Sequence, residues 1–402
     1  MRRHRVVATV VLAVALIAGA CGEQSGRQPP ASDVHTTAGS AGRVEWTRLP
    51  AGPLGPRHGA HGFFVDGQFL VMGGRDSAAC SPDADCVLPS EPALRDAAGF
   101  APATGAWKRL TDAPVPLAEA STVVVGDVVY WWIPQGGDRR PVFLAYDGAE
   151  DHWQRLPAPD VAGSDRWLHL VATDDRVIAY RDTHERGGDH PDLVYDRARD
   201  VWRDVPRDPL APSFDRRMVW TGDEVVLLAL DLVDEPGAQE PSLYRTAAST
   251  FASRSWHQLP DAEAVVGGWP TWFAVDGLVV NAATGGADGG DTNGWGRWYP
   301  YGGIFDADEG SWSPLPQPSG KARRWLDVSA AGSRAVLNDS GWLFDVPTRT
   351  WTSVARPPDG TDREQAVALG DGRLFVWGGV SWGDDQGSLS ADGWIADVAP
   401  PS

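Results

Sequence analysis

The sequence predicts an all-β protein in which about seven similar units close into a ring, a β-propeller. Three observations predict this fold. A tryptophan phrase recurs along the chain, strand–turn–strand patterns lie between its copies, and Gly (46) and Pro (32) are abundant while long runs of helix-favouring residues are scarce. The 402 residues are 42% hydrophobic, which is enough for a packed core. The net charge is −19 and the sequence contains no basic cluster, so we expect no nucleic-acid-binding surface.

The first 43 residues are predicted to contain a secretory signal and a linker. Arg2, Arg3 and Arg5 precede the apolar stretch Val6–Ala20, which is shorter than the roughly 20 residues of a membrane-spanning helix and is typical of a secretory signal. The run 16–21 resembles the lipobox of bacterial lipoproteins, which implies cleavage before Cys21 and acylation of that cysteine, for example with palmitate. The alternative is an ordinary cleavable signal followed by an incidental cysteine. We expect residues 1–20 to be removed and residues 21–43, poor in apolar side chains, to form a flexible tether.

Two further cysteines, Cys80 and Cys86, stand close together in the chain. In an oxidising compartment such a pair predicts a disulfide that stiffens a loop. A two-cysteine metal site is the alternative, but no neighbouring His or Cys completes four ligands.

The repeat after residue 44 is marked by tryptophan. Seven tryptophans open the phrase Trp-x-x-(Leu/Val): Trp46, Trp107, Trp153, Trp202, Trp256, Trp312 and Trp351. Aspartate stands six residues before four of them, at Asp147, Asp196, Asp306 and Asp345. We expect the tryptophans to pack between units and the aspartates to accept backbone N–H bonds in turns.

Between the tryptophan phrases lie pairs of β-rich runs separated by Gly/Asp turns. Examples are 62–65 with 69–72, 122–125 with 128–132, and 367–369 with 373–377. Each pattern predicts a hairpin. Four of the second strands run into a double glycine, at 73–74, 136–137, 285–286 and 378–379. Each unit therefore contains four short strands, the number in a propeller blade.

The order hairpin, Gly-Gly, variable loop, aromatic-Asp and tryptophan resembles the kelch repeat, including the propellers related to galactose oxidase. The resemblance covers residues 44–402, and the spacing of the units fits a kelch period of roughly 50 residues. It implies a seven-bladed kelch-type propeller. Six blades, with the short unit 329–351 folded otherwise, is the alternative.

The two ends of the repeat region predict how the ring closes. The last unit supplies its hairpin and the segment ending at Asp397, but the chain ends before another tryptophan strand. The missing strand is present at 44–50. We therefore expect the N-terminal strand to pair with the segment ending at Asp397, which removes exposed sheet edges.

Charged and imidazole residues gather where the innermost strand of each blade begins. They are Arg57, His58, His61, Glu119, Arg166, His169, Arg216, Arg217, Arg323, Arg324, Arg363 and Glu364. Arginines that face a channel could capture a carboxylate or sulfate. The alternative is that they pair with acidic residues of neighbouring blades. Arg57, His61, His169, Arg217 and Arg363 are our candidates for ligand binding.

The loop 285–303 is rich in glycine and aromatic residues. Trp295, Trp298, Tyr299 and Tyr301 suit stacking on sugar rings or contact with a protein partner, and packing over the propeller is the alternative. Asp288, Asp291 and Asn293 form a weak calcium candidate, since the EF-hand spacing is absent.

Enzyme motifs are weak. The run 379–383 matches G-x-S-x-G, but its first glycine belongs to the repeat and no helical pattern follows. The copper site of galactose oxidase needs a Cys joined to a Tyr, another Tyr and two His, which the sequence does not offer in a recognisable pattern. We therefore predict no catalytic residue and no cofactor. A glycan-active hydrolase or lyase is the alternative function, and a copper oxidase a remote one.

Together these features predict a lipid-anchored propeller on the extracytoplasmic face of the cell membrane. It would act as a binding or scaffolding module for a protein or carbohydrate partner. Contact with the membrane would be made through the lipid alone, because a surface this negative is repelled by anionic lipid.

Overall fold

The computed structural model describes residues 44–79, 92–117, 119–135, 140–159, 161, 167–184, 191–231, 244–250, 255–261, 271–284, 302–316, 318, 325–382 and 387–398. These residues form seven four-stranded antiparallel sheets arranged as a seven-bladed β-propeller, as the sequence predicts. The alternative of six blades is wrong. In the described ranges, no helix is long and apolar enough to cross a membrane.

Each of the first three blades follows the chain from its innermost to its outermost strand. The N-terminal strand β1 (Trp46–Arg48) precedes them. Blade 1 contains β2 (His61–Val65), β3 (Gln68–Met72), β4 (Ala97–Ala101) and β5 (Ala106–Leu110). Blade 2 contains β6 (Ser121–Val125), β7 (Val128–Ile133), β8 (Val142–Asp147) and β9 (His152–Leu156). Blade 3 contains β10 (His169–Ala172), β11 (Arg176–Tyr180), β12 (Leu193–Asp196) and β13 (Val201–Asp204).

Blades 4 to 6 repeat this order. Blade 4 contains β14 (Ser213–Trp220), β15 (Val225–Asp231), β16 (Arg245–Ser249) and β17 (His257–Leu259). Blade 5 contains β18 (Trp272–Val275), β19 (Leu278–Asn281), β20 (Gly303–Asp306) and β21 (Ser311–Pro314). Blade 6 contains β22 (Ala330–Ala331), β23 (Ala335–Leu337), β24 (Trp342–Asp345) and β25 (Thr350–Ser353).

Blade 7 joins the two ends of the repeat region. It contains β26 (Ala366–Gly370), β27 (Arg373–Trp377) and β30 (Gly393–Asp397). The chain between β27 and β30 forms a separate hairpin of β28 (Val380–Trp382) and β29 (Gly387–Leu389). Strand β1 completes the blade, pairing Trp46 with Ala396 and Arg48 with Trp394. The predicted closure of the ring is confirmed.

The core consists of seven hydrophobic clusters, one at each seam between neighbouring blades. The second strand of a blade serves two seams at once because its side chains alternate between its faces. In β7, Trp131 packs toward blade 1 and Trp132 toward blade 3. A blade therefore lacks the means to bury its apolar faces on its own.

The seven repeat tryptophans also bond the blades to one another. Each lies in one seam, and its indole N–H donates to the carbonyl of the residue four positions after the tryptophan of the preceding blade. The bonds measure 2.7–3.1 Å and join Trp107 to Pro50, Trp153 to Thr111, Trp202 to Pro157, Trp256 to Pro206, Trp312 to Pro260, Trp351 to Pro316 and Trp46 to Ala355. The last bond closes the circle.

The repeat aspartates have the predicted role in turns. Asp147 accepts the N–H groups of Ala149 and Glu150, each at 3.0 Å. Asp306 and Asp345 accept the N–H three residues later, also at 3.0 Å. These turns connect the third and fourth strands of their blades.

We expect deletion of residues 44–50 to destroy the single cooperative unfolding transition. The deletion leaves β30 with an unpaired edge and removes two indole bonds, those of Trp46 and Trp107. Thermal unfolding by circular dichroism, with size-exclusion chromatography, measures the effect. Deletion of residues 22–43 is the control and should leave the transition unchanged. A single transition at the original temperature after deletion of 44–50 would contradict the role of closure.

Replacement of Trp202 by Phe should lower the free energy of unfolding by about 1–3 kcal/mol. The change removes the 2.7 Å bond to Pro157 and part of the packing against Trp132. Urea unfolding followed by circular dichroism measures this change. Trp167→Phe is the matched control, because Trp167 is 52% exposed. Equal effects of the two substitutions would show that the indole bond does not stabilise the seam.

Candidate functional site

The two ends of the propeller differ. Because each sheet is antiparallel, the innermost strands begin at the same end at which the second strands finish and the third strands begin. We call this end the loop face, since it carries the connections between blades and the long connections between second and third strands. The opposite end carries short turns such as Asp66-Gly67 and Asp371-Gly372, whose positive φ angles suit tight hairpins. Predicted ligand residues should therefore be compared on the loop face.

Double glycines draw the connections between blades against the second strands. A Cβ on Gly74 would lie 2.7 Å from the carbonyl oxygen of His58, and a Cβ on Gly379 would lie 2.5 Å from that of Arg363. The close approach allows His58 to bridge to Arg75, and Arg363 to Val380. The repeat thus fixes the backbone around two of the charged residues noted in the sequence.

Arg57 does not face the channel as a free cation. Its guanidinium is buried and donates to both carboxylate oxygens of Asp96, at 2.5 and 3.0 Å, and to the carbonyl of Gly73 at 3.1 Å. Burial opposes ionisation of Asp96, but Arg57 outweighs it and lowers the pKa of that carboxyl. This arrangement favours the structural alternative for Arg57.

His61 and Arg363 lie in different surroundings. The His61 ring stacks on Phe63 at 6.2 Å and meets the edge of Trp131 at 4.8 Å, and burial lowers its pKa from 6.5 to about 4. Arg363 is part-exposed, with Nε 3.9 Å from Asp327. His61 is therefore a neutral packing residue at physiological pH, whereas Arg363 is held only loosely.

The structure brings His169 and Arg217 together at the seam between blades 3 and 4. Arg217 pairs with Asp182 and, at 2.8 Å, with Asp215, while His169 Nε2 lies 3.8 Å from Asp182. The Tyr244 hydroxyl donates to Asp215. We call these five residues the mouth cluster.

An irregularity in β14 places this cluster. The register shifts between Phe214 and Arg217, and Asp215 has a left-handed φ of 49°. Because of this bulge, Arg216 points into the seam while Asp215 and Arg217 both reach the mouth cluster. Bulges and left-handed non-glycine residues are costly and concentrate at functional sites.

Asp215 has counterparts in other blades. Glu119 and Glu364, with φ angles of 48° and 56°, stand two residues before the point where the innermost strand first pairs with the second. Asp215 stands two residues before Arg217, where pairing resumes after the bulge. Glu119 lies 3.8 Å from Arg75, and Glu364 contacts His58. Trp167 occupies the same position in blade 3 and is half exposed. In the described part of the chain, the starts of these innermost strands thus carry carboxylates in three blades and an aromatic ring in a fourth.

The titratable groups of the mouth cluster perturb one another. Burial raises the pKa of Asp215, although Arg217 and Tyr244 oppose the rise. Burial and the charge of Arg217 lower the pKa of His169. At neutral pH, Arg217 therefore remains cationic between two carboxyl groups and His169 is neutral. The cluster offers acceptors rather than a free positive charge.

A second cluster lies behind the first, with Arg216, Asp192 and Asp208 buried and His184 13% exposed. Arg216 donates to Asp192 at 2.8 Å and to Asp208 at 3.0 Å, and His184 lies 3.3 Å from each of these carboxylates. We call these four residues the buried ion cluster. Burial opposes ionisation of Asp192, but Arg216 and His184 lower its pKa to about 2.

The buried ion cluster contains metal-ligand types, but its charge is already balanced. His184, Asp192 and Asp208 place ligand atoms within 4.8 Å of one another. The guanidinium of Arg216 occupies the position between the carboxylates that a cation would take. We therefore assign an ion-pair network here and not a metal centre.

Several predicted residues lie outside the described residues. They are Cys21, Cys80, Cys86, Arg166, Asp288, Asp291, Asn293, Trp295, Trp298, Tyr299, Tyr301, Arg323 and Arg324. Gly302 donates to the carbonyl of Ala283 at 2.9 Å, which anchors both ends of the segment between them at the loop face. Predictions for these residues remain predictions.

Sequence reasoning missed Asp182, His184, Asp192, Asp208 and Tyr244. They stand in or beside connections of irregular length, where no periodic pattern assigns a direction to a side chain. The available signal was the pair Arg216-Arg217, because neighbouring strand residues face opposite ways and so need separate partners.

Comparison with known protein families and with curated proteins found no match to this sequence. The assignment of a site therefore rests on the geometry of the propeller.

Replacement of His61 by Phe should remove part of the acid sensitivity of the fold. A folded-state pKa of about 4 against an ordinary 6.5 means that the unfolded chain binds the proton more readily. The wild-type free energy of unfolding should therefore fall by up to about 3 kcal/mol as pH drops through this window. Urea unfolding at pH 7 and pH 4.5 measures it, with exposed His152→Gln as the control. An unchanged acid response in the His61 variant would contradict the prediction.

Proposed function

We propose that this protein is a lipid-anchored, extracytoplasmic binding module that presents its loop face to a glycan or protein partner. Lipid on Cys21 would hold the domain at the membrane, and residues 22–43 would space it from the surface. A kelch-type propeller suits this role because its loops vary while its seams are fixed.

One observation favours a hydroxyl-rich ligand over an anion. The arginines of the mouth that could receive an anion already carry carboxylate partners: Arg57 has Asp96, and Arg217 has Asp182 and Asp215. Arg363 is more loosely held, with Nε 3.9 Å from Asp327. Among the described residues of the mouth cluster, Asp182 is a 48% exposed acceptor, and Trp167, two residues before His169, is 52% exposed. Carboxylates accept hydrogen bonds from sugar hydroxyls, and an indole face stacks on the apolar side of a sugar ring.

We expect Trp167 to act with the mouth cluster, because it stands two residues before His169 and 52% of its side-chain surface is exposed. Ala283 and Gly302, which flank the segment with the aromatic residues of loop 285–303, are joined at the loop face. We expect these aromatic residues to add a second contact.

A second candidate function, glycan hydrolysis, is favoured by the two carboxyl groups bridged by Arg217. Burial raises the pKa of Asp215, which suits a proton donor, while Asp182 is half exposed. Glycan binding without release of product would support the binding module, whereas release of product would support the hydrolase.

The test is a glycan array probed with the detergent-solubilised full chain. We expect binding of neutral glycans, reduced at least tenfold by Trp167→Ala or Asp182→Asn. Asp371→Asn is the matched control on the opposite face, where Asp371 also pairs with an arginine, and it should bind normally. Trp298→Ala and Tyr299→Ala test the loop.

Each result has a definite reading. Selective binding of sulfated or carboxylated glycans would overturn the hydroxyl-rich ligand. Binding that Trp167→Ala and Asp182→Asn leave unchanged would exclude the mouth cluster. Released product that Arg217→Ala abolishes would replace the binding module by the hydrolase.

A further inference from the structure

The charge balance of the buried ion cluster depends on one titratable group. Asp192 and Asp208 supply two negative charges, and Arg216, which is fully buried, supplies one positive charge. The second positive charge can come only from His184 within these four residues. Since an unpaired internal charge is strongly destabilising, the protonation of His184 affects the whole seam.

Both ring nitrogens of His184 face a carboxylate. Nδ1 lies 3.3 Å from Oδ2 of Asp208, and Nε2 lies 3.3 Å from Oδ1 of Asp192. Among the described residues Nε2 makes no hydrogen bond, so its contact with Asp192 is electrostatic. A neutral imidazole would direct the lone pair of one ring nitrogen at a carboxylate oxygen, so the position between two carboxylates favours the imidazolium ion.

The buried ion cluster is linked to the mouth cluster through the backbone. The N–H of Arg216 donates to the carbonyl of Asp182 at 3.0 Å, and Arg217 Nη1 donates to the carbonyl of Arg216 at 2.7 Å. His184 and Ser213 exchange two backbone bonds, of 2.8 and 2.9 Å, across the same seam. Movement at His184 would therefore displace Asp182 and Arg217.

We propose that His184 is a pH-sensing positioning residue. Its imidazolium holds blades 3 and 4 together beneath the mouth, and loss of its proton at higher pH loosens the mouth cluster and weakens ligand binding there. The binding part rests on the proposed function, whereas the effect on the seam does not.

Among the described residues, which exclude 185–190, the groups that face His184 come from three elements. They are Asp192 before β12, Asp208 in the connection between β13 and β14, and Arg216 in β14. Arg181 at the end of β11 donates its backbone N–H to Asp192 and its Nη1 to the carbonyl of Pro191, at 3.0 and 2.6 Å. Burial and Arg216 disfavour the imidazolium, but the two carboxylates outweigh them and raise the pKa of His184.

The sign of the pH effect follows from this direction. A histidine with a raised folded-state pKa stabilises the fold fully below its ordinary value of 6.5 and loses that contribution as pH rises through the folded-state pKa. The folded-to-unfolded ratio should fall about tenfold for each pH unit between 6.5 and that pKa.

The first experiment is urea unfolding of the full chain at pH 5.5, 7 and 9. We expect the wild-type midpoint to fall toward pH 9 and the His184→Gln midpoint to change less. His257→Gln is the matched control, because His257 is exposed and lies 3.7 Å from Glu224. Identical pH dependence of wild type and His184→Gln would overturn the proposal.

The second experiment needs no variant and no ligand. Hydrogen exchange of the wild-type peptide 213–220, corrected for the intrinsic pH dependence, reports on the Arg216 N–H that donates to Asp182. We expect its protection to fall between pH 6 and pH 9, while peptide 366–370 of blade 7 remains protected. Constant protection of 213–220 would overturn the proposal even if His184→Gln failed to fold.

Binding completes the test. A glycan bound at pH 6 should bind more weakly at pH 9, and His184→Gln should lose this difference. If no glycan binds at either pH, the proposed function fails while the exchange result still decides the role of His184.

Discussion

The propeller depends on the circle of seven indole hydrogen bonds and the apolar seams in which they lie. Each tryptophan comes from the outer strand of one blade and bonds to the chain that leaves the outer strand of the blade before it. Because second strands such as β7 are apolar on both faces, both faces of a blade must be covered by neighbouring blades. The bond from Trp46 to Ala355 and the bond from Trp107 to Pro50 both require the N-terminal segment 44–50, so this short segment supplies a partner to two of the seven bonds.

Much of this fold could be predicted because its signals are local. A strand–turn–strand pattern and a tryptophan followed by a buried Leu or Val are contained in a few residues, and they recur in every blade. The same phrase also holds the acceptor, four residues after tryptophan, for the next indole. The weakest unit in the sequence, 329–351, still forms four strands, although β22 has only two residues. Residues of blades 5 and 7 complete the two hydrophobic clusters against which this short blade packs.

The ligand site could be predicted only in part. His169 begins β10 and Arg217 follows the bulge in β14, so both lie in innermost strands that the repeat predicted. Asp182 and Tyr244, which complete the cluster, belong to connections whose length follows no period. The sequence left both anion-binding arginines and arginines paired with acidic residues open. Pairing is favoured because a guanidinium at a seam is desolvated and needs a carboxylate. In a chain with 54 acidic and 35 basic residues such partners are abundant, as Asp96 is for Arg57.

The bulge in β14 explains why the seam between blades 3 and 4 carries two polar clusters instead of one. In a regular strand, Asp215 and Arg217 would share a face with the residues that line the channel, and Arg216 would need a partner within an apolar seam. The left-handed turn at Asp215 allows Arg216 to reach Asp192 and Asp208 while its neighbours remain at the mouth. The backbone N–H of Arg216 also donates to the carbonyl of Asp182. Arg216 therefore connects its own internal guanidinium to Asp182, an exposed acceptor at the mouth. Under the proposal made for His184, protonation inside the seam between blades 3 and 4 thereby alters the geometry at the mouth.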